Sequence, residues 1–164
     1  MKVDDLTLPT RPVTVRACSQ HGLAIEGTLL LRGAPGQHVG KESLLERLND
    51  EEPFLPLLTE PGPCCVLLAK AHLLFLAVAG WPDEEPPAEW LARARTERVE
   101  LTLVEGPPMQ GTLMIPLIPR GSRIQDYLVS VGAGFFPLQG EQELYLINAA
   151  ALVAVTPLSG RGHP

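Results

Sequence analysis

The chain has 164 residues, 45% of them hydrophobic and 20% charged, which is room for one ordinary domain or two small ones and the composition of a folded protein. Its formal net charge is −6, with lysine only at Lys2, Lys41 and Lys70, which argues against phosphate neutralisation on nucleic acid and against an anionic membrane surface. With 15 glycines and 17 prolines the chain is punctuated too often for long helices, so many short strands are expected.

The N-terminal Met1-Lys2-Val3-Asp4-Asp5 is polar and acidic and has no apolar stretch of signal-peptide length. Val13-Thr14-Val15-Arg16-Ala17 alternates apolar and polar residues, as a half-buried strand does. The turn Gln20-His21-Gly22 leads into Ile25-Glu26-Gly27-Thr28-Leu29-Leu30-Leu31, and the pair reads as a hairpin. Gly27 sits on the inward parity of its strand, where glycine marks a bend or a close backbone crossing. A loop from Arg32 to Lys41 follows, with Gly33, Gly36 and Gly40. Ser43 is placed to N-cap a short helix whose apolar face is Leu44 and Leu48. The proline in Phe54-Leu55-Pro56-Leu57 predicts an edge strand or a bulge. Residues 67–76 read as two strands with a tight connection. The apolar block from Cys64 to Ala79 is broken by Lys70 and His72 and falls short of the roughly 20 residues a membrane-spanning helix needs. A cytoplasmic protein with no membrane contact is expected.

Gly80-Trp81-Pro82-Asp83-Glu84-Glu85-Pro86-Pro87 is acidic and proline-rich, hence an extended linker. Ala88 to Arg98 is predicted to be a short helix, acidic before it and arginine-rich at its end (Arg93, Arg95, Arg98), pinned by Trp90 and Leu91. The first pattern then recurs. Val99-Glu100-Leu101-Thr102-Leu103 stands against Val13 to Ala17, and the turn at Glu105-Gly106-Pro107-Pro108 leads into Met109-Gln110-Gly111-Thr112-Leu113-Met114-Ile115. Ser122 precedes a helix with Ile124 and Leu128 on one face. Phe135-Phe136-Pro137-Leu138 repeats the phenylalanine, apolar, proline, leucine signature, and residues 146–155 again read as two tightly connected strands. A fixed order of elements recurring along a chain is the mark of an internal repeat. The expected fold is therefore mainly β (α+β): two tandem repeats of a ββαβββ small curled sheet or barrel, packed as a pseudo-symmetric pair. The units span residues 1–79 and 99–158, with a linker and helix over 80–98 and a tail over 159–164.

The hairpins resemble those of Sm-like and SH3-like small barrels. His21-Gly22 with Gly27-Thr28-Leu29, and Glu105-Gly106 with Gly111-Thr112-Leu113, are similar to the Sm-like first motif, which has a glycine at the first turn and another before an apolar residue in the next strand. The likeness covers about twenty residues per half. It departs afterwards, since the Sm-like helix precedes the first strand and the RNA-contacting loop residues have no counterpart, so no functional residue is carried over.

Chemistry is sparse. The cysteines are Cys18, Cys64 and Cys65, with no CxxC and no histidine at ligand spacing, so buried free thiols are expected and no metal site. His21, His38, His72 and His163 do not recur between the halves, and no nucleophile, metalloprotease, P-loop or dinucleotide motif is present. A nucleophilic Cys18 or Cys64 with a distant histidine is the remaining catalytic option and is disfavoured; no enzyme activity and no cofactor are expected. Asp126 lies three residues from Arg123 and suits a helix-surface ion pair. What the halves share is Gly27 and Gly111, Pro56 and Pro137, and apolar positions, which reads as scaffold. Partner contact is sought where they differ: Trp81 in the linker, and Leu117, Ile118 and Arg120 in the apolar loop Pro116 to Gly121. The expected function is a non-enzymatic protein-interaction or assembly module, an adaptor or regulatory subunit of a bacterial-type cytoplasmic complex, with a protein partner and a possible homodimer. The alternatives are a small-ligand or nucleotide sensor with its site between the repeats, and an Sm-like RNA binder.

Overall fold

Short apolar runs bounded by tight turns fill much of this chain, and every pairing between the strands they form is antiparallel. The computed structural model describes residues 9–33, 42–60, 64–81, 92–116 and 123–158. In chain order these form β1 (Thr10–Ser19), β2 (Ala24–Arg32), α1 (Leu44–Asn49), β3 (Phe54–Thr59), β4 (Cys64–Ala69) and β5 (Leu73–Val78). Then come β6 (Ala94–Leu103), β7 (Met109–Pro116), α2 (Ile124–Val131), β8 (Phe135–Gln139), β9 (Leu144–Asn148) and β10 (Leu152–Pro157). Three-residue 3₁₀ turns at Gln20–Gly22, Lys70–His72 and Ala149–Ala151 connect β1 to β2, β4 to β5 and β9 to β10.

All ten strands lie in one antiparallel sheet, in the order β10-β6-β7-β8-β9-β5-β1-β2-β3-β4. The expectation of two small curled sheets or barrels is corrected here to one large sheet. Among the described residues β4 and β10 each pair with one neighbour, so the sheet is open at both ends. The seam between the halves joins β5, the last strand of the first five, to β9, the fourth of the second five, in the register Phe75↔Ile147, Leu76↔Leu146, Ala77↔Tyr145 and Val78↔Leu144. The fifth strand of one half thus meets the fourth of the other, which is not the like-to-like contact expected of a pseudo-symmetric pair.

Successive side chains on a strand point to opposite faces. At the seam this sorts two cores. Leu76, Val78, Leu144 and Leu146 enter a cluster built on Val15, Leu29, Leu31, Leu55 and Leu57, while Ile147, with Phe75 and Tyr145 beside it, belongs to a second cluster around Val99, Leu101, Leu113 and Phe136. β5 and β9 are consequently buried on both faces. α1 covers the first cluster with Leu44 and Leu48, and its start is a capping box: Ser43 Oγ accepts from the Glu46 N–H at 2.9 Å and Glu46 Oε2 accepts from the Ser43 N–H at 2.8 Å. α2 contributes buried Tyr127, edge-on to Phe136 at 6.4 Å, and burial pushes the Tyr127 phenol up to about 12. Arg123 is the N-cap of α2, and Ser122 lies outside the described residues.

Several expectations change. Residues 94–98 are strand, not helix, because β6 runs the full length of β7 from Ala94↔Pro116 to Leu101↔Met109; Arg95 and Arg98 therefore stand on a sheet, Ala92 and Arg93 just before it are helical, and residues 88–91 of the expected helix lie outside the described residues. Val15 faces Gly27 and Val99 faces Gly111 across their hairpins. Cys18 is half-buried and Cys64 and Cys65 are exposed, because β4 is an edge strand. Pro56 and Pro137 are in interior strands, not edges. They are tolerated because the ladders on that side are short, Thr28↔Leu58 for β3 and Thr112↔Gln139 with Leu113↔Leu138 for β8.

The glycines at the two hairpins allow a close crossing. A Cβ at Gly27 would lie 2.5 Å from the Leu58 carbonyl oxygen and 2.8 Å from Leu57 Cγ; one at Gly111 would lie 2.7 Å from Leu138 Cγ and 2.8 Å from the Gln139 carbonyl oxygen. Gly27→Ala and Gly111→Ala are each expected to lower stability by about 1–3 kcal/mol in urea denaturation, since backbone blocks the added methyl; an unchanged midpoint would contradict the crossing. A second expectation concerns Lys70, whose buried ammonium donates to Asp50 Oδ1 at 2.5 Å and to the Arg47 carbonyl at 2.9 Å, tying α1 to the β4–β5 turn. Burial pushes the Asp50 carboxyl up, but the Lys70 hydrogen bond and the Glu52 N–H outweigh it and hold the group below its usual range. A depressed carboxylate stabilises the fold above its unfolded value of about 3.9, and that contribution is lost as pH falls through the folded value. Asp50→Asn should therefore cost about 1–3 kcal/mol at neutral pH and flatten the acid limb of a stability-against-pH curve.

Candidate functional site

Three surface features bring chemistry together. The first is a groove of ≈ 390 Å³ above the seam, between the tips of the β1–β2 and β6–β7 hairpins. His21 (φ 66°) and Gly22 (φ 74°) take left-handed conformations that turn the first tip, and Gly106 (φ 86°) turns the second. The tips meet directly: the His21 N–H donates to Glu105 Oε2 at 2.7 Å. Leu23, Leu74, Phe75, Leu103 and Met109 make the groove mostly apolar, and Arg16, Cys18, Ser19, Glu105 and Tyr145 add its polar atoms. Arg16 spans the halves, donating to Glu143 Oε2 at 2.7 Å and lying 5.9 Å over the Phe75 ring, which meets Tyr145 edge-on at 5.5 Å. The Glu143 bond raises the Arg16 pKa, and burial followed by the Glu143 charge raises that of Tyr145. This is a greasy slot with one paired cation, suited to a flat or chain-like apolar group.

The second feature is a polar cleft of ≈ 600 Å³ along β7 and β8, with Arg98, Gln110, Gln139, Glu141 and Gln142. Arg98 and Glu141 bring both signs of charge, so the cleft favours neither anions nor cations.

The third is the pair of open sheet edges. β4 (Cys64-Cys65-Val66-Leu67-Leu68-Ala69) and β10 (Leu152-Val153-Ala154-Val155-Thr156-Pro157) carry no charged residue. Leu67 is 63% exposed on β4 and Val153 62% exposed on β10. Beside β10 runs a groove of ≈ 560 Å³ against α2, lined by Ile124, Leu128, Val129 and Val155. Natural edge strands are blunted by lysines, inward charges or covering segments, and an apolar uncharged edge is a template for another strand.

Of the residues singled out in the sequence, Trp81 is half-buried against the first core. Leu117, Ile118 and Arg120 lie outside the described residues, as do residues 34–41, 61–63, 82–91 and 159–164. Gly27, Gly111, Pro56 and Pro137 stand at the crossings described above. Leu67, Val129 and Val153 were missed, since alternation marks them as apolar without saying which face of which strand meets a neighbour. The missing charges in residues 64–69 and 152–157 were the available signal. Among the described residues no group of three or more His, Cys, Asp or Glu could hold a metal ion, and no helix is long and apolar enough to cross a membrane. Comparison with protein-family models, curated proteins and solved structures finds no match.

Proposed function

We propose that this chain is a tandem pair of ββαβββ units acting as a protein-assembly module, and that its working surfaces are the β4 and β10 edges. The tandem reading is supported by the ladders: β1–β2, β2–β3, β3–β4 and β1–β5 in the first half have the same order and direction as β6–β7, β7–β8, β8–β9 and β6–β10 in the second. One observation carries the assembly reading: both terminal strands of a ten-stranded sheet are uncharged and expose large aliphatic side chains. Strand addition at such an edge supplies main-chain hydrogen bonds, and the alternate side chains supply selectivity. Leu67→Lys, which puts a charge on the β4 edge without touching the core, is expected to lower capture of the bound protein by roughly tenfold while leaving the circular dichroism spectrum unchanged. Equal capture by wild type and variant would sink the edge reading.

The groove above the seam favours a second reading, binding of a small apolar ligand between the units. Its combination of an aromatic pair, methionine, leucines and a single paired arginine supports it. In a thermal-shift screen of aromatic and acyl compounds, a hit should raise the melting temperature of the wild type but not of Met109→Arg; a shift retained by that variant would move the ligand elsewhere.

A further inference from the structure

We propose that the protein bound at these edges is a second copy of this chain, with the β10 edge of one copy adding to the β4 edge of the next in the register that β5 and β9 adopt internally. The proposal rests on the tandem assembly reading and deepens it by naming the partner.

The register can be transposed residue by residue. Leu146 faces Pro137 and Leu67 faces Pro56, so Leu67 stands in β4 where Leu146 stands in β9. β5 and β10 are both six residues long and both follow directly on a 3₁₀ turn, so Val155 corresponds to Leu76. Their partners agree: Leu76 pairs with Ala17, two residues past the residue facing Gly27, and Val155 pairs with Leu101, two residues past the residue facing Gly111. Within the chain Leu76 pairs with Leu146, so between chains Val155 pairs with Leu67, Thr156 with Val66 and Pro157 with Cys65.

The side chains flanking this ladder are complementary in the same way. Internally, Leu146 is 1% exposed and Leu74 6%; their counterparts Leu67 and Val153 are 63% and 62% exposed. Internally, Asn49 at the end of α1 closes over β8, accepting from the Phe135 N–H at 2.7 Å and donating to the Phe135 carbonyl at 3.2 Å. The counterpart of Asn49 is Val129, 74% exposed, and that of Phe135 is Phe54, 51% exposed. An apolar pair thus replaces a polar one at the same place in the contact. Four of the large hydrophobics exposed among the described residues, Phe54, Leu67, Val129 and Val153, fall on this one seam. Neither edge strand carries a charge that would oppose it. The contact is heterologous, so it propagates as a closed ring or an open filament, not as a two-fold dimer.

The internal seam also holds Asn148, whose side-chain amide donates to the Leu73 carbonyl at 2.8 Å, and the Arg16–Glu143 pair. The counterpart of Asn148 is Ala69, which cannot donate. The contact between chains is therefore weaker than the one within the chain, and it is reversible.

The test uses the full-length chain. Sedimentation velocity from about 1 to about 200 µM should show mass rising in multiples of the 17.7 kDa chain. Val129→Lys, on the helix surface, should weaken that association roughly tenfold with an unchanged fold. For register, Leu67→Cys and Val155→Cys are placed separately in a background with the three native cysteines changed to Ser. On oxidation the mixture should give a disulfide-linked dimer containing one of each, and neither variant should cross-link alone. A chain that stays monomeric throughout, or cross-linking of Leu67→Cys with itself, overturns the proposal. A monomer that still captures a different protein in a Leu67-dependent way removes the self-association and leaves the assembly reading intact; a monomer with no Leu67-dependent partner removes both.

Discussion

The β5–β9 ladder is the constraint on which the rest of the molecule depends. Four registered pairs make one sheet out of two halves, and because side chains alternate across a strand, the same pairs send Leu76, Val78, Leu144 and Leu146 to one core and Phe75, Tyr145 and Ile147 to the other. A slip of one residue would send each set into the core shaped for the other. At about 25 cal/mol for each Å² of apolar surface removed from water, burying two strands on both faces outweighs what a hairpin alone could supply. Neither half closes its core without the other: Phe135, Leu144 and Leu146 complete the first cluster and Leu74 belongs to the second.

Polar groups fix this register where apolar packing would tolerate alternatives. Asn49 satisfies both main-chain groups of Phe135, buried Asn148 donates to the Leu73 carbonyl, and Arg16 reaches Glu143 across the joint. Lys70 holds the β4–β5 turn to α1 through Asp50 and the Arg47 carbonyl. A buried polar group left unpaired costs about 1–3 kcal/mol, so a shifted register is disfavoured several times over. The same joint sets the groove above it, since it brings the two hairpin tips close enough for His21 to bond Glu105. The joint takes β5 from one half and β9 from the other, and among the described residues it leaves β4 and β10 as the two ends of the sheet.

Local signals were legible wherever one residue type has one physical use. Ser43 reads as an N-cap and is one, with Glu46 completing a capping box; Gly22 and Gly106 turn hairpins at positive φ, and the alternation of residues 13–17 and 99–103 marks strands. The signals failed where a neighbour decides. Residues 94–98 read as the end of a helix by charge, but pairing with β7 overrode a weak propensity. Cys64 and Cys65 were expected as buried free thiols, and an edge position exposes both. Pro56 and Pro137 suggested an edge or a bulge, and both lie inside the sheet beside ladders of only one or two pairs.

Sequence by itself determined the strands, their turns, the start of α1 and the glycines where backbones cross, because each depends on contacts within a few residues. It also determined that β4 and β10 are apolar and uncharged. Tertiary structure alone decided that the sheet stays open among the described residues, that β5 rather than β4 joins the second half, and hence that Leu146 is covered while Leu67 is not. Those two leucines have the same local pattern, and what separates them is whether another strand lies alongside, a long-range contact that no local periodicity encodes.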